Sequence, residues 1–173
     1  AHMDGSIDPA RDIDIINTEL ILADLETLEK RISRTEKLIK TGDKEVLKGL
    51  ELYQQAYQSL NQGTPIRNMP LKEDDRIYLR DLHLLTEKKV LYVANVSESV
   101  MKNKNDLIES IRSAIHKEHS KLVVICGDLE AEMMELPREE RQVFMEDLGL
   151  EISGLNRVIH EGYALLGLIT FYT

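Results

Sequence analysis

Tryptophan is absent from the 173 residues, and aromatic side chains of all kinds make up only 5%. An interior built from this chain must therefore be aliphatic. A single cysteine, Cys126, excludes an internal disulfide and makes a reducing, cytoplasmic compartment the expectation. No long hydrophobic run occurs. The stretch Val90–Val96, apolar but for Asn95, is far too short to cross a bilayer, and no secretory segment is seen ahead of it, so no membrane partner is expected. Net positive charge is lacking too. A formal balance of −9 argues against a chain-wide nucleic-acid binder, and no DNA partner is expected. Repeats of 20–50 residues and low-complexity tracts are missing as well. What remains is 42% hydrophobic and 31% charged residues, enough for one globular domain or one and a half. Ala1–Met3 is set aside as a remnant of cloning.

The charges are unevenly placed. Between Lys30 and Lys48 lie seven basic residues (Lys30, Arg31, Arg34, Lys37, Lys40, Lys44 and Lys48) against three acidic ones. Between Asp128 and Glu151 lie nine acidic residues against two basic ones. The basic stretch reads first as the solvated side of a coiled coil, with an RNA contact as the functional alternative. The acidic segment Glu130–Glu151 reads as a solvated helical face.

Asp12 to Lys40 predicts one long helix. Ile21, Leu25, Leu28, Ile32, Thr35 and Ile39 repeat at heptad spacing, with Thr35 the polar member. Thr41-Gly42-Asp43 ends it, with Gly42 suited to a left-handed cap and Asp43 to the start of a second helix from Lys44 to about Asn61. That helix carries the seam Val46, Leu50, Tyr53, Tyr57 and Leu60, with the tyrosine rings packed and their hydroxyls in water. Two such helices joined by a short turn fold back as an antiparallel hairpin, the longer arm reaching roughly 40 Å at ~1.5 Å per residue. Gly49 should cost the second helix about 1 kcal/mol. Gln62–Pro70 reads as a loop and Leu71–Leu85 as a helix whose apolar residues are Ile77, Leu79, Leu82 and Leu85, with His83 half-buried.

The pattern then changes. Val90–Val96 predicts a strand buried on both faces. Asp106–Glu118 follows as an amphipathic helix and Lys121–Cys126 as a second buried strand. Leu129–Leu136 and Arg138–Leu148 are two helices split at Pro137, Leu155–Leu166 is another, and Ile169–Thr173 begins a strand. Strand–helix–strand order with buried strands means a parallel α/β sheet, for which two strands are too few. Partner strands are expected from a second copy or from sequence beyond these residues. His116 and His119 have no companions at metal-ligand spacing and read as surface residues, so no metal site is expected.

Ligands of open parallel sheets bind at the C-terminal strand ends. Asn95-Val96-Ser97-Glu98 stands at one such end, and Cys126-Gly127-Asp128 at the other, about 30 residues on, the length of one βαβ unit. Guanine-nucleotide switches carry Asn-Lys-x-Asp at the first place. Its Asp accepts from two donors on guanine, whereas the corresponding edge of adenine offers one donor and one acceptor. Here the Lys is missing and the acid is lengthened to Glu98, a change away from guanine. Spacing alone leaves a plain strand-end turn equally open.

Asp12-Ile13-Asp14, Ile16-Asn17-Thr18-Glu19-Leu20, the Tyr92–Glu98 strand ending, Glu139-Glu140-Arg141, Gly154–Ile159 and Thr170–Thr173 together give a close likeness. Through them nearly the whole chain resembles the YchF-type ATPases of the Obg group of P-loop NTPases. The resemblance implies the C-terminal half of a P-loop NTPase parallel sheet with an inserted antiparallel α-helical coiled-coil hairpin. It divides the chain into a G-domain segment or cloning remnant at 1–11, the coiled-coil insertion at 12–86, the G-domain half at 87–166 and the start of a TGS domain at 167–173. It implies a translation-associated protein that prefers ATP, hydrolyses it slowly with Mg2+ and binds the ribosome. Asn95, Val96, Ser97 and Glu98 would contact the base, and Cys126, Gly127 and Asp128 would close its pocket. Cys126 stands where relatives are expected to carry Ser, and a thiol is the weaker donor. No Gly-x-x-x-x-Gly-Lys-Ser/Thr occurs, so the 173 residues alone should hold no phosphates and hydrolyse nothing. The parent's P-loop is expected ahead of Ala1. The competing reading is a non-enzymatic coiled-coil adaptor or RNA- and ribosome-binding module.

Overall fold

A computed structural model of the chain describes residues 7–39, 42–102, 106–116 and 120–169. It is mostly helical, with a two-stranded parallel sheet among the described residues, and it divides into two units, Ala1–Lys88 and Lys89–Thr173.

The first unit is built on helices α1 (Pro9–Glu36) and α2 (Lys44–Asn61). α1 starts three residues earlier than Asp12. Asp8 caps it, accepting from Arg11 N at 3.2 Å, and Pro9 suits a first turn that needs no N–H. Gly42 takes φ +69° and Asp43 caps α2, accepting from Glu45 N at 2.8 Å. Lys40, Thr41 and the Thr170–Thr173 tail lie outside the described residues, as do Glu118 and His119.

The two seams meet as the heptads require. Leu28, Tyr53, Ala56 and Leu60 form a buried core with Ile66, Leu79 and Leu84, flanked by Ile21, Leu25, Ile32 and Tyr57. Antiparallel pairing brings Glu29 to Tyr57, whose hydroxyl donates to the carboxylate at 2.7 Å rather than to water alone. It also sets the Arg31 guanidinium 5.5 Å from the centre of the Tyr53 ring. Thr35 is buried, and its hydroxyl donates to the Arg31 carbonyl one turn back at 2.8 Å.

The expected helix over Leu71–Leu85 is shorter. α3 spans Glu73–Arg80. Behind it the chain turns through His83 at φ +51° and enters a 3-10 turn at Leu85–Glu87. His83 is exposed and outside any helix, and Ile77 is 60% exposed. Tyr78 of α3 lies against Gly49, where a Cβ would stand 3.4 Å from the ring. The glycine inside α2 is thus the site of a close helix–helix approach. Around it Lys48 pairs with Asp75 at 2.8 Å and the Tyr78 hydroxyl donates to Glu45.

In the second unit β1 (Leu91–Asn95) pairs in parallel with β2 (Lys121–Ile125), Leu91 opposite Lys121 and Asn95 opposite Ile125. Helices α4 (Glu98–Lys102) and α5 (Asp106–Ile115) make the crossover, with Ile111 and Ile115 buried. α6 (Gly127–Glu135), α7 (Arg138–Asp147) and α8 (Gly154–Leu166) follow, α8 packing on both strands. Pro137 separates α6 from α7 as its missing N–H demands. β1 is not buried on both faces: Val93 is 44% exposed, and within the pair only Val123 is fully enclosed. An apolar run marks a strand suited to cover on both sides, but the exposure of Val93 shows that the cover here is incomplete. No helix is long and apolar enough to cross a membrane among the described residues.

Candidate functional site

The C-terminal rim of the parallel pair is formed by two chain segments meeting edge to edge. The ladder runs one step past the strands, Val96 N donating to Ile125 O at 2.9 Å. There the Asn95 side chain crosses over, its Oδ1 accepting from Gly127 N at 2.9 Å. That donor fixes the amide's orientation, so Nδ2 is the atom left to donate outward. A Cβ on Gly127 would stand 3.3 Å from Asn95 Oδ1, a tight approach that glycine avoids.

From this junction the chain climbs into two helices. Ser97 O accepts from Val100 N at 3.1 Å and Met101 N at 3.0 Å, opening α4, a helix absent from the sequence reading. Glu98 is its first residue and is exposed, and the Ser97 and Ser99 hydroxyls lie 3.0 Å apart. On the other side Cys126 leads into α6 with its side chain buried to 1% exposure, so only its backbone can serve the rim. Asp128 is exposed in the first turn of α6. The predicted residues therefore gather at one strand-end rim, with Asn95 and Gly127 in direct contact and Glu98 and Asp128 each opening a helix. Among the described residues, no group of three or more His, Cys, Asp or Glu side chains could hold a metal ion.

Three members of the basic stretch have acidic partners. Lys30 pairs with Glu26 at 2.5 Å, holding that carboxyl below its ordinary range, while Arg31 pairs with Asp81. The bond to Asp75 raises the Lys48 ammonium's pKa. Arg34, Lys37 and Lys44 are exposed, and Lys40 lies outside the described residues.

Three polar fixtures escaped the sequence reading. Asp24, buried to 2% exposure inside α1, accepts from Leu85 N at 2.8 Å and from Thr86 N and Oγ1 at 2.7 and 2.6 Å. Arg67 spans Thr86 O and Asn17 Oδ1 at 3.3 and 3.2 Å, giving Asn17 of the Ile16–Leu20 motif a structural partner. Glu130 is not part of a solvated acidic face: its carboxylate accepts from Gly154 N at 2.6 Å and Leu155 N at 3.3 Å, at the start of α8.

No protein-family model matches the chain. Individual proteins do. It is 41% identical over 174 residues to the ribosome-binding ATPase YchF of Bacillus subtilis, covering 99% of this chain and 48% of that protein. Against the same-named protein of Escherichia coli O157:H7 it is 42% identical over 172 residues, 99% of this chain and 47% of the relative. The solved structure of the Schizosaccharomyces pombe YchF GTPase superposes with a TM-score of 0.86 at 26% identity, over 96% of this chain and 46% of that one. The chain spans about half the length of the relatives it matches.

Proposed function

Because this chain is a homologue of the YchF ribosome-binding ATPases over about half of their length, we propose that it supplies the base-reading edge of an ATP-binding, translation-associated switch protein. The observation that carries this is the Asn95–Gly127 hydrogen bond at 2.9 Å. It ties the two strand-end segments into one rim and leaves Asn95 Nδ2 to donate to a ring nitrogen. Glu98, one methylene longer than Asp, accepts from the exocyclic amine of adenine. The two donors of guanine are spaced for the shorter acid. Val96 and Ser97 line the base plane, while the backbone of Cys126, Gly127 and Asp128 closes it.

Phosphate and Mg2+ binding, and with them slow ATP hydrolysis, belong in this reading to the whole protein, because the 173 residues hold no Walker-type loop. Ribosome binding is likewise a property of the whole protein. The hairpin's exposed Arg34, Lys37 and Lys44 are its RNA-facing charges.

Nucleotide preference in the complete protein tests the assignment. Glu98→Asp should move the ratio of ATP to GTP affinity toward GTP by tenfold or more. An unchanged ratio sinks the base-reading role, and failure of the unsubstituted protein to bind either nucleotide favours the coiled-coil adaptor.

A further inference from the structure

A cavity of about 500 Å³ lies in the second unit, beside Val124 of β2. Its walls include Ile108 of α5, Leu129 of α6, and Leu148 and Leu150 from the turn between α7 and α8. Two arginines, Arg112 and Arg157, also line it. Close-packed interiors leave few voids larger than a water molecule, and this one falls in the range of small-ligand pockets, roughly 300–1,000 Å³.

The chemistry of the lining is specific. Arg157 belongs to the Gly154–Ile159 stretch, whose role the nucleotide reading leaves unexplained. Its Nη1 donates to Val124 O at 3.4 Å, which ties the side chain to the strand edge. Glu130 anchors the start of α8 one turn earlier, so Arg157 rises from a fixed helix end. Arg112 is supplied by α5. Glu109, 3.7 Å from its Nε, offsets part of its charge, but both of those side chains are more than half exposed. Two cations facing one aliphatic chamber call for an anion with an aliphatic body: the carboxylate takes the guanidinium forks and the chain covers the leucine and isoleucine walls.

We propose that this cavity is a binding site for a small aliphatic monocarboxylate. Neither charge alone nor apolar area alone accounts for the lining, which sets up the test. Octanoate, octanol and inorganic phosphate are titrated in turn into the 173-residue chain, observed by methyl NMR. Octanoate should shift the methyls of Met101, Ile108, Leu129, Leu148 and Leu150 saturably. Octanol, without the charge, should bind at least tenfold more weakly, and phosphate, without the chain, should leave those methyls unmoved. Arg157→Gln and Arg112→Gln should each weaken octanoate tenfold or more. Arg112 is exposed on α5, so its variant keeps the test open should Arg157→Gln fail to fold. Equal binding of octanol and octanoate, indifference to the Arg112 substitution, or shifts spread unsaturably over the whole methyl spectrum overturns the proposal.

Discussion

The carboxylate of Asp24 grips Thr86 twice, by backbone N–H at 2.7 Å and by hydroxyl at 2.6 Å, across 62 residues of sequence. The Thr86 hydroxyl in turn accepts from Ile66 N at 3.3 Å. One carboxylate thus fastens the segment leaving the helical unit to the middle of its longest helix. Asp24→Ala leaves three donors without an acceptor in a buried place and should lower stability by about 3 kcal/mol. Asp24→Asn, which keeps one acceptor oxygen, should lose less. Urea unfolding of both variants gives the order, and equal midpoints for wild type and Asp24→Ala would refute it.

Two glycines of α8 should respond in opposite directions. A Cβ on Gly154 would stand 2.7 Å from Glu130 Oε1 and 2.8 Å from Ile125 Cγ2, whereas one on Gly162 meets nothing within 4 Å. Gly154→Ala should therefore destabilise by about 1–3 kcal/mol through overpacking. Gly162→Ala should stabilise by about 0.5–1 kcal/mol through helix propensity. Thermal melts of the two variants decide this, and the same sign of change in both would contradict the packing at the start of α8.

Tyrosine ionisation gives a pH readout of the helical unit. The hydrogen bond to Glu45 raises the pKa of Tyr78 above its ordinary 10.0, and burial raises that of Tyr53. A raised folded-state pKa means that the folded chain holds these protons more tightly than the unfolded one. The contribution to stability is complete below pH 10.0 and is lost as pH climbs through the folded values. In an alkaline absorbance titration, Tyr53→Phe and Tyr78→Phe should each remove signal from the late part of the curve. Loss from the early part would contradict the burial or the Glu45 bond.

Reversing the exposed hairpin charges should separate RNA attraction from structure. Arg34→Glu, Lys37→Glu and Lys44→Glu together should weaken ribosome binding by the complete protein and flatten its dependence on salt, while thermal stability stays near wild type. An unaltered salt slope would remove these side chains from the contact.

How much of this was legible depended on how far apart in sequence the interacting groups lie. The Asp43 cap, the Gly42 turn, the Pro137 break and both heptad seams rest on neighbours within a turn or two, and sequence reading found them. The latch of Asp24 on Thr86 and the clamp of Glu130 on Gly154 depend on partners 62 and 24 residues away, and an isolated acid in a helix carries no mark of them. β1 was placed correctly, but its covering was not, because an apolar run records what a strand can bury and not what lies beside it. The same holds at the rim: the strand ends could be named, yet the bond from Gly127 to Asn95 joins residues 32 apart.

Gly49 ties the fate of one helix to another. The residue weakens α2 by roughly 1 kcal/mol as an isolated helix, and the ring of Tyr78 from α3 occupies the groove that it opens. The arm of the hairpin therefore borrows rigidity from a segment of only eight residues. Fraying of α3 would loosen the first half of α2, so the two should exchange their amide hydrogens as one cooperative block.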